Sequence, residues 1–328
     1  MPETLLRAYV RLRRNFEGFP FDATMLAADK RLCAERVGEA LAGKEYSHYR
    51  LAELDEAMLW ELTGSGLVDS GMFQHEEAAI YVSADRQSSM VCNVEDHVQI
   101  RVEASGGDIT AAVAKAKELS RLIHSHYPFV KDQRIGWLTA RPQEAGTGLQ
   151  VCQLLHLPML HMMQQIKAIT ASYYKEQRFS LKPLSAQDPK NPSALYWLCN
   201  LFTAYDGTDT LCQAAQEQAD TLTQREQTLR SRILKRSIRS TYLDQVYRAY
   251  GILKYARRLN DNEFMGYWSK LRLGVTAGLI PLSLEKVDGL LQQTSLSQLK
   301  AADPEHSDDH AIHFLRADKV RAELEGDT

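Results

Sequence analysis

Two short segments concentrate the side chains able to do proton and phosphate chemistry. The first is Asn93-Val94-Glu95-Asp96-His97. Glu95 offers a carboxylate that can take a proton, and His97 an imidazole that can contact a ligand. The same polar cluster at the start of a strand equally suits local hydrogen bonding to backbone. The second segment is Gly146-Thr147-Gly148-Leu149-Gln150, preceded by Arg134-Ile135-Gly136-Trp137-Leu138-Thr139-Ala140-Arg141-Pro142-Gln143-Glu144. Two glycines around a threonine are too short to form a phosphate cradle by themselves, and no Walker-type loop is present. Elsewhere, His306, His310 and His313 have helical spacing, but they lie in an Asp-rich stretch without cysteine and read as solvated side chains; no metal site is expected. The run Arg225, Arg230, Arg232, Lys235, Arg236 and Arg239 is interleaved with Glu226 and Gln227 and reads as a solvated helix face.

The elements that would position these residues follow from periodicity and composition. The chain has 328 residues, 44% hydrophobic and 25% charged, enough for one large core or two. A net charge of −3 gives no global field to recruit nucleic acid or an anionic membrane. No apolar run reaches the length of a membrane span, and Met1-Pro2-Glu3-Thr4 shows no signal-peptide pattern. Five cysteines without close pairing read as reduced thiols in a cytoplasmic protein. The opening 60 residues read as a short basic run with two helical patterns, one over Met25 to Leu41. Strands are expected at 79–82, 89–92, 98–102, 134–140 and 195–202, and an amphipathic helix from Ile109 to Ile123. A helix is expected from Pro158 to about Tyr174, and a proline-rich loop over 182–192. A long charged helix from Asp209 to about Arg239 leads into helices at 243–259, 261–279, 283–301 and 310–325. The fold class is α+β: residues 1–236 form the mixed domain and 237–328 a helical domain.

The two polar segments resemble the signatures N-E-E-D-H-x-R and G-[YW]-L-T-x-C-P-T-N-x-G-T-G-[LM]-R of the guanidino (phosphagen) kinases. Three further pieces resemble the bacterial protein-arginine kinase branch of that family. They are Leu6-Arg7-Ala8-Tyr9-Val10-Arg11-Leu12-Arg13-Arg14-Asn15, Val246-Tyr247-Arg248-Ala249-Tyr250-Gly251-Ile252-Leu253, and Leu271-Arg272-Leu273-Gly274 with the residues to Ile280. The resemblance implies an antiparallel sheet flanked by helices, Mg-ATP as cosubstrate if the protein is active, and a homodimer through the helical C-terminal domain. It also implies a protein partner: an arginine-containing substrate, an active paralogue or an adaptor. Neither nucleic acid nor a membrane is expected as a partner.

Carried over residue by residue, the resemblance implies a thinned site. Of the arginines expected on the ATP phosphates, Arg11 is retained, while Tyr9, Gln99 and Gln150 stand at three other positions, and Lys182 replaces a fourth. Of the glutamates expected to orient and deprotonate the guanidinium, Glu95 survives as the residual base; Val94 and Gln187 occupy the other positions. His97 remains as a nucleotide contact. The motif cysteine is Arg141, and Leu315-Arg316-Ala317-Asp318 retains part of an R-D-x-x-R-A phosphoarginine motif.

A charge-assisted hydrogen bond contributes roughly 1.5–3 kcal/mol. Losing three therefore costs about 5 kcal/mol or more, roughly three to four powers of ten in rate. Glutamine can donate a hydrogen bond but cannot neutralise a phosphate. Loss on both the arginine and the carboxylate side favours a catalytically impaired pseudokinase with a binding or regulatory role. The alternative is an active protein-arginine kinase whose clamp is rebuilt from relocated guanidinium groups at Arg13, Arg101 and Arg141.

Overall fold

The computed structural model describes residues 3–325 apart from 22–23, 65–66, 70, 73–74, 76, 185–189, 205–206, 235–238 and 304–307. Its strands are β1 (Leu5–Arg14), β2 (Tyr46–Arg50), β3 (Ala79–Ser83), β4 (Ser88–Val94), β5 (Asp96–Glu103), β6 (Lys131–Asp132), β7 (Gly136–Trp137), β8 (Leu149–His156), β9 (Phe179–Pro183) and β10 (Leu195–Asn200). Strands β6 and β7 form a small hairpin, and the other eight build one antiparallel sheet in the order β2-β3-β4-β5-β1-β8-β10-β9. The helices are α1 (Ala27–Ala40), α2 (Glu56–Gly64), α3 (Ile109–His126), α4 (Pro158–Met162), α5 (Ile166–Glu176), α6 (Thr208–Leu234), α7 (Arg239–Tyr255), α8 (Asp261–Thr276), α9 (Leu284–Gln293), α10 (Leu296–Ala302) and α11 (Asp309–Glu325).

Strand β1 sits in the middle of the sheet and alternates with period two. Ala8, Val10 and Leu12 are buried among α1, α3, α5 and α6, which cover one face with Val37, Val113, Leu119, Ile169, Leu211 and Leu222. The α3 helix is held in place by its amphipathic stripe and by Asp108, whose carboxylate accepts from the Ala111 amide at 2.9 Å. The other β1 residues, Arg7, Tyr9, Arg11 and Arg13, project to the opposite face. Two bodies flank that face. Residues 51–78, including α2, pack on β3 and β4 through Leu51, Leu62, Leu67 and Val68. Helices α7, α8, α9 and α11 bury Trp268, Phe264, Leu271 and Val287 together with Leu154 of β8 and Leu195 of β10, and α10 packs against α2.

The junction between the sheet and the C-terminal helices is polar and buried. His156, at the end of β8, bonds Ser269 at 2.8 Å and accepts from Arg272 at 3.2 Å. Arg272 is 1% exposed and makes two bonds to Asp288, at 2.7 and 3.0 Å. Burial, reinforced by the Arg272 charge, pushes the His156 pKa well below its ordinary value, so the ring is neutral and can accept.

Several expectations are corrected. The basic run at the N-terminus is the central strand β1, because its charges alternate with apolar residues. The strand expected over 134–140 shrinks to Gly136–Trp137. The helix expected from Pro158 breaks between α4 and α5, where Gln164 takes φ 56°. The helix over 283–301 breaks at Ser295, whose hydroxyl caps α10. The proline-rich loop contains the end of β9. Cys152 and Cys199 form a disulfide across β8 and β10, which 47 residues of separation concealed in the sequence. Arg230 is not solvated: it is 7% exposed and paired with Glu3 and Glu226. Lys235, Arg236, His306 and Gln187 lie outside the described residues.

Glu226 explains why α6 is fixed to the sheet. Its carboxylate is fully buried and accepts from the amides of Met159, at 2.9 and 3.1 Å, and of Leu160, at 2.9 Å, capping α4. Burial pushes its pKa up to about 7, against the opposing pull of the two amides and Arg230. Because the folded pKa is raised, the folded chain holds a proton that the unfolded chain has released over the range between the ordinary carboxylate value and about 7. Stability from this group is therefore full in acid and falls as pH rises through that window, by up to roughly 3 kcal/mol. Urea unfolding at several pH values should show this slope, and Glu226→Gln should flatten it; an unchanged slope would remove Glu226 as its source.

Candidate functional site

The open face of the central strands brings most of the sequence-predicted residues together. Arg11 lies opposite Arg101 on β5 and Gln150 on β8. One step along, Tyr9 lies opposite Glu103 and Cys152; in the other direction, Arg13 lies opposite Gln99. The three strands thus present a floor of guanidinium, carboxamide and phenol groups, as antiparallel register requires of directly opposed residues.

Each guanidinium on this floor already holds an anion of the same chain. Arg11 donates to Asp69 at 2.5 Å, and Arg101 donates to the same carboxylate at 3.3 Å. Against the burial that would raise it, Arg11 and Arg101 keep the Asp69 carboxyl below its usual range. Arg13 is 4% exposed and lies 3.1 Å from Glu144 and 3.6 Å from Asp96. Gln150 also accepts from Arg13, at 3.4 Å, and donates to the Asn200 carbonyl at 3.2 Å. Burial holds the Glu144 carboxyl above its usual range, offset only in part by Arg13. Arg141 is paired with Glu95 at the rim of the floor.

Tyr9 occupies the middle of the floor. The Arg101 guanidinium stacks 3.5 Å from its ring centroid, and Trp197 of β10 meets it edge-on at 5.2 Å. This is a cation–π and aromatic pile in which Tyr9 is buried. Gln99 is also buried and turns away, donating to the Val94 carbonyl at 2.5 Å.

The structure separates three residues from this group. His97 is fully buried; its Nδ1 accepts from the Phe16 amide at 2.9 Å and its Nε2 bonds the Pro20 carbonyl at 2.7 Å. Both ring nitrogens therefore serve the backbone. Val94 is buried in the cluster formed with residues 51–78. Lys182 is exposed on the edge strand β9, separated from β1 by β8 and β10, and among the described residues it has no ion pair. The Gly146-Thr147-Gly148 segment is spent on packing. Gly148 has φ +62°, and a Cβ there would come within 2.8 Å of Arg14 and 2.9 Å of the Arg13 carbonyl. Thr147 donates its amide and hydroxyl to the Thr203 carbonyl, at 3.2 and 2.9 Å. Near the C-terminus, Arg316 is buried and donates to the Leu259 carbonyl at 3.0 Å and to Asp261 at 3.3 Å.

Sequence reasoning did not find Asp69, Trp197 or the partnership of Glu144 with Arg13. Asp69 sits in a stretch without a motif, and nothing in the sequence marks that it crosses the sheet face.

Comparison with known proteins matches two parts of the chain. Residues 30–229 match the family described as ATP:guanido phosphotransferase, C-terminal catalytic domain. Residues 239–328 match the protein-arginine kinase McsB C-terminal domain. The protein-arginine kinase of Caldanaerobacter subterraneus subsp. tengcongensis is 25% identical over 91% of this chain and 90% of its own. That of Desulforamulus reducens is 28% identical over 92% of this chain and 87% of its own. Among solved structures, lombricine kinase matches with a TM-score of 0.61 at 16% identity, covering 70% of this chain and 68% of that one. The duplicated taurocyamine kinase of Schistosoma mansoni, with bound transition state analog components, also gives 0.61 at 16% identity, over 74% of this chain and 37% of that one.

Because Arg13 is buried against Glu144, removing the Glu144 charge leaves Arg13 with only the more distant Asp96, at 3.6 Å, in a buried site. Glu144→Gln should lower unfolding free energy by about 3 kcal/mol, the lower end for a broken buried pair since Asp96 remains nearby. Chemical denaturation reads this directly, and a loss below about 1 kcal/mol would mean that Arg13 does not rely on Glu144.

Proposed function

Because the chain belongs to the ATP:guanido phosphotransferase family and carries a C-terminal domain of the protein-arginine kinase type, we propose that it is a protein-arginine-kinase-like protein with impaired phosphotransfer and a retained binding or regulatory role. The observation that carries this reading is the internal neutralisation of the floor. Arg11 and Arg101 hold Asp69, Arg13 holds Glu144 and Asp96, and Arg141 holds Glu95. A phosphate clamp requires guanidinium groups aimed at the developing charge. Here the counter-charge comes from the chain, and Tyr9 fills the centre. The residues present do not fit a Mg-bound triphosphate in this arrangement, so no transfer step is derived through it. The Arg141 pair also engages Glu95, the residual base.

On this reading residues 1–236 form the kinase-like domain and 237–328 the helical domain through which two copies associate. The exposed side chains of Tyr247 and Tyr255 on α7, 52% and 71% exposed, suit such a contact. An arginine-containing protein, an active paralogue or an adaptor is the partner class. Among the described residues no helix is long and apolar enough to cross a membrane, and the proposed location is the cytoplasm.

A second reading has a specific observation in its favour. Arg13 lies between Gln99 and Gln150, and Arg101 stacks on Tyr9, so guanidinium groups stand beside three of the positions where arginine was expected. Asp69 is half-exposed and therefore within reach of displacement by an anion. That reading requires micromolar Mg-nucleotide binding weakened by Arg11→Ala and by Arg141→Ala in calorimetry.

Single-turnover assays with labelled Mg-ATP and a protein-arginine substrate separate the two. The expected outcome is no transfer above that of Glu95→Gln, consistent with a loss of roughly three to four powers of ten in rate. Transfer that Glu95→Gln abolishes would overturn the impaired reading.

A further inference from the structure

The cysteine pair beside Tyr9 stands apart from the arginine chemistry. Cys152 on β8 and Cys199 on β10 are directly opposed in register, with Cα atoms 4.4 Å apart. That spacing belongs to a non-hydrogen-bonded antiparallel pair, where side chains approach closely, and it falls at the near end of the range a disulfide can span. The two residues lie on the same sheet face as the floor: Cys152 is the register partner of Tyr9, and Trp197, two residues before Cys199, packs against the Tyr9 ring. Cys152 is 1% exposed and Cys199 is half-buried. The bridge ties β8, which carries Gln150, to β10, whose last residue Asn200 accepts from the Val151 amide at 2.7 Å and receives Gln150 on its carbonyl. The remaining cysteines are elsewhere: Cys33 and Cys92 are fully buried in the core on the far side, and Cys212 lies on α6.

We propose that Cys152 and Cys199 form a reversible thiol–disulfide couple that takes a low-molecular-weight disulfide as its oxidant and sets the packing of the Tyr9–Trp197 wall of the site. The half-buried Cys199 thiolate attacks one sulfur of the small disulfide, forming a mixed disulfide and releasing one small thiolate. The Cys152 thiolate then attacks the Cys199 sulfur, closing the bridge and releasing the second small thiolate. Two protein thiols are oxidised, one small disulfide is reduced to two thiols, and the two cysteine protons pass to the released thiolates. Excess dithiol runs the sequence backwards. The proposal does not depend on whether phosphotransfer survives, so it stands or falls separately from the function proposed above.

The test uses the full-length chain equilibrated with excess oxidised glutathione or with dithiothreitol, then alkylated and mapped by mass spectrometry. Denatured thiol counts are expected to fall from five to three on oxidation, with the lost pair recovered as a Cys152–Cys199 cross-linked peptide. Intrinsic fluorescence is the second readout, because a disulfide quenches an adjacent indole. Oxidation should reduce emission in the native chain and in Cys212→Ser, and that reduction should be lost in Trp197→Phe and in Cys199→Ser. Five alkylatable thiols after oxidation, or a mixed disulfide that never closes onto Cys152, overturns the couple. A bridge that forms while the Trp197 emission stays fixed overturns its link to the site wall. If Cys199→Ser fails to fold, thiol mapping and emission of the native chain decide both points.

Discussion

Strand β1 lies between β5 and β8, and its alternation governs the molecule. Val10 and Leu12 must face the helices, so Tyr9, Arg11 and Arg13 must face away. A one-residue slip would exchange the two sets and put guanidinium groups into the core. The apolar half of β1 thus fixes which residues can form a site, and the neighbouring strands supply their register partners. The packing of α1, α3 and α6 is the energetic reason that the arginine floor exists at all.

Placing several cations on a partly dry surface creates a second requirement. Buried charge is tolerated only when paired, and the chain meets this with Asp69, Glu144 and Asp96, while Glu95 pairs the more exposed Arg141. These anions come from three separate regions: the segment before β3, the β4–β5 turn and the stretch between β7 and β8. The guanidinium groups of the floor are thus neutralised by the chain's own carboxylates. In this structure the fold supplies the negative charge that faces these guanidinium groups.

The fold is largely legible in the sequence because its signals are local or motif-borne. The amphipathic stripe of α3, the alternation of β5 and the succession of helices after residue 239 all act within a few turns or strand steps. The family signatures mark β5 and the Gly146–Gly148 segment through residue types alone. The breaks at Gln164 and Ser295 are not visible there, since neither position carries glycine or proline. At the site, the types of the residues at Tyr9, Arg11, Gln99 and Gln150 can be read from the sequence, but the anions that neutralise the arginines among and beside them cannot. Arg13 and Glu144 are far apart along the chain, and Asp69 meets Arg11 only because residues 51–78 fold across β3 and β4. His97 is readable as a polar residue in a signature, whereas its commitment to the Phe16 amide depends on tertiary packing.

Arg13 also constrains how this site could change over time. It stands between the two glutamines, with Gln150 only 3.4 Å away. Arginine introduced at 150 while Arg13 remains would set two cations side by side, and unit charges about 4 Å apart repel by about 4 kcal/mol at an effective dielectric near 20. Gln150→Arg alone would therefore carry that repulsion, and it is relieved only if Arg13 changes as well. A guanidinium at position 150 would stand beside one that Glu144 and Asp96 already hold, so the central strand couples that position of β8 to its own residue 13.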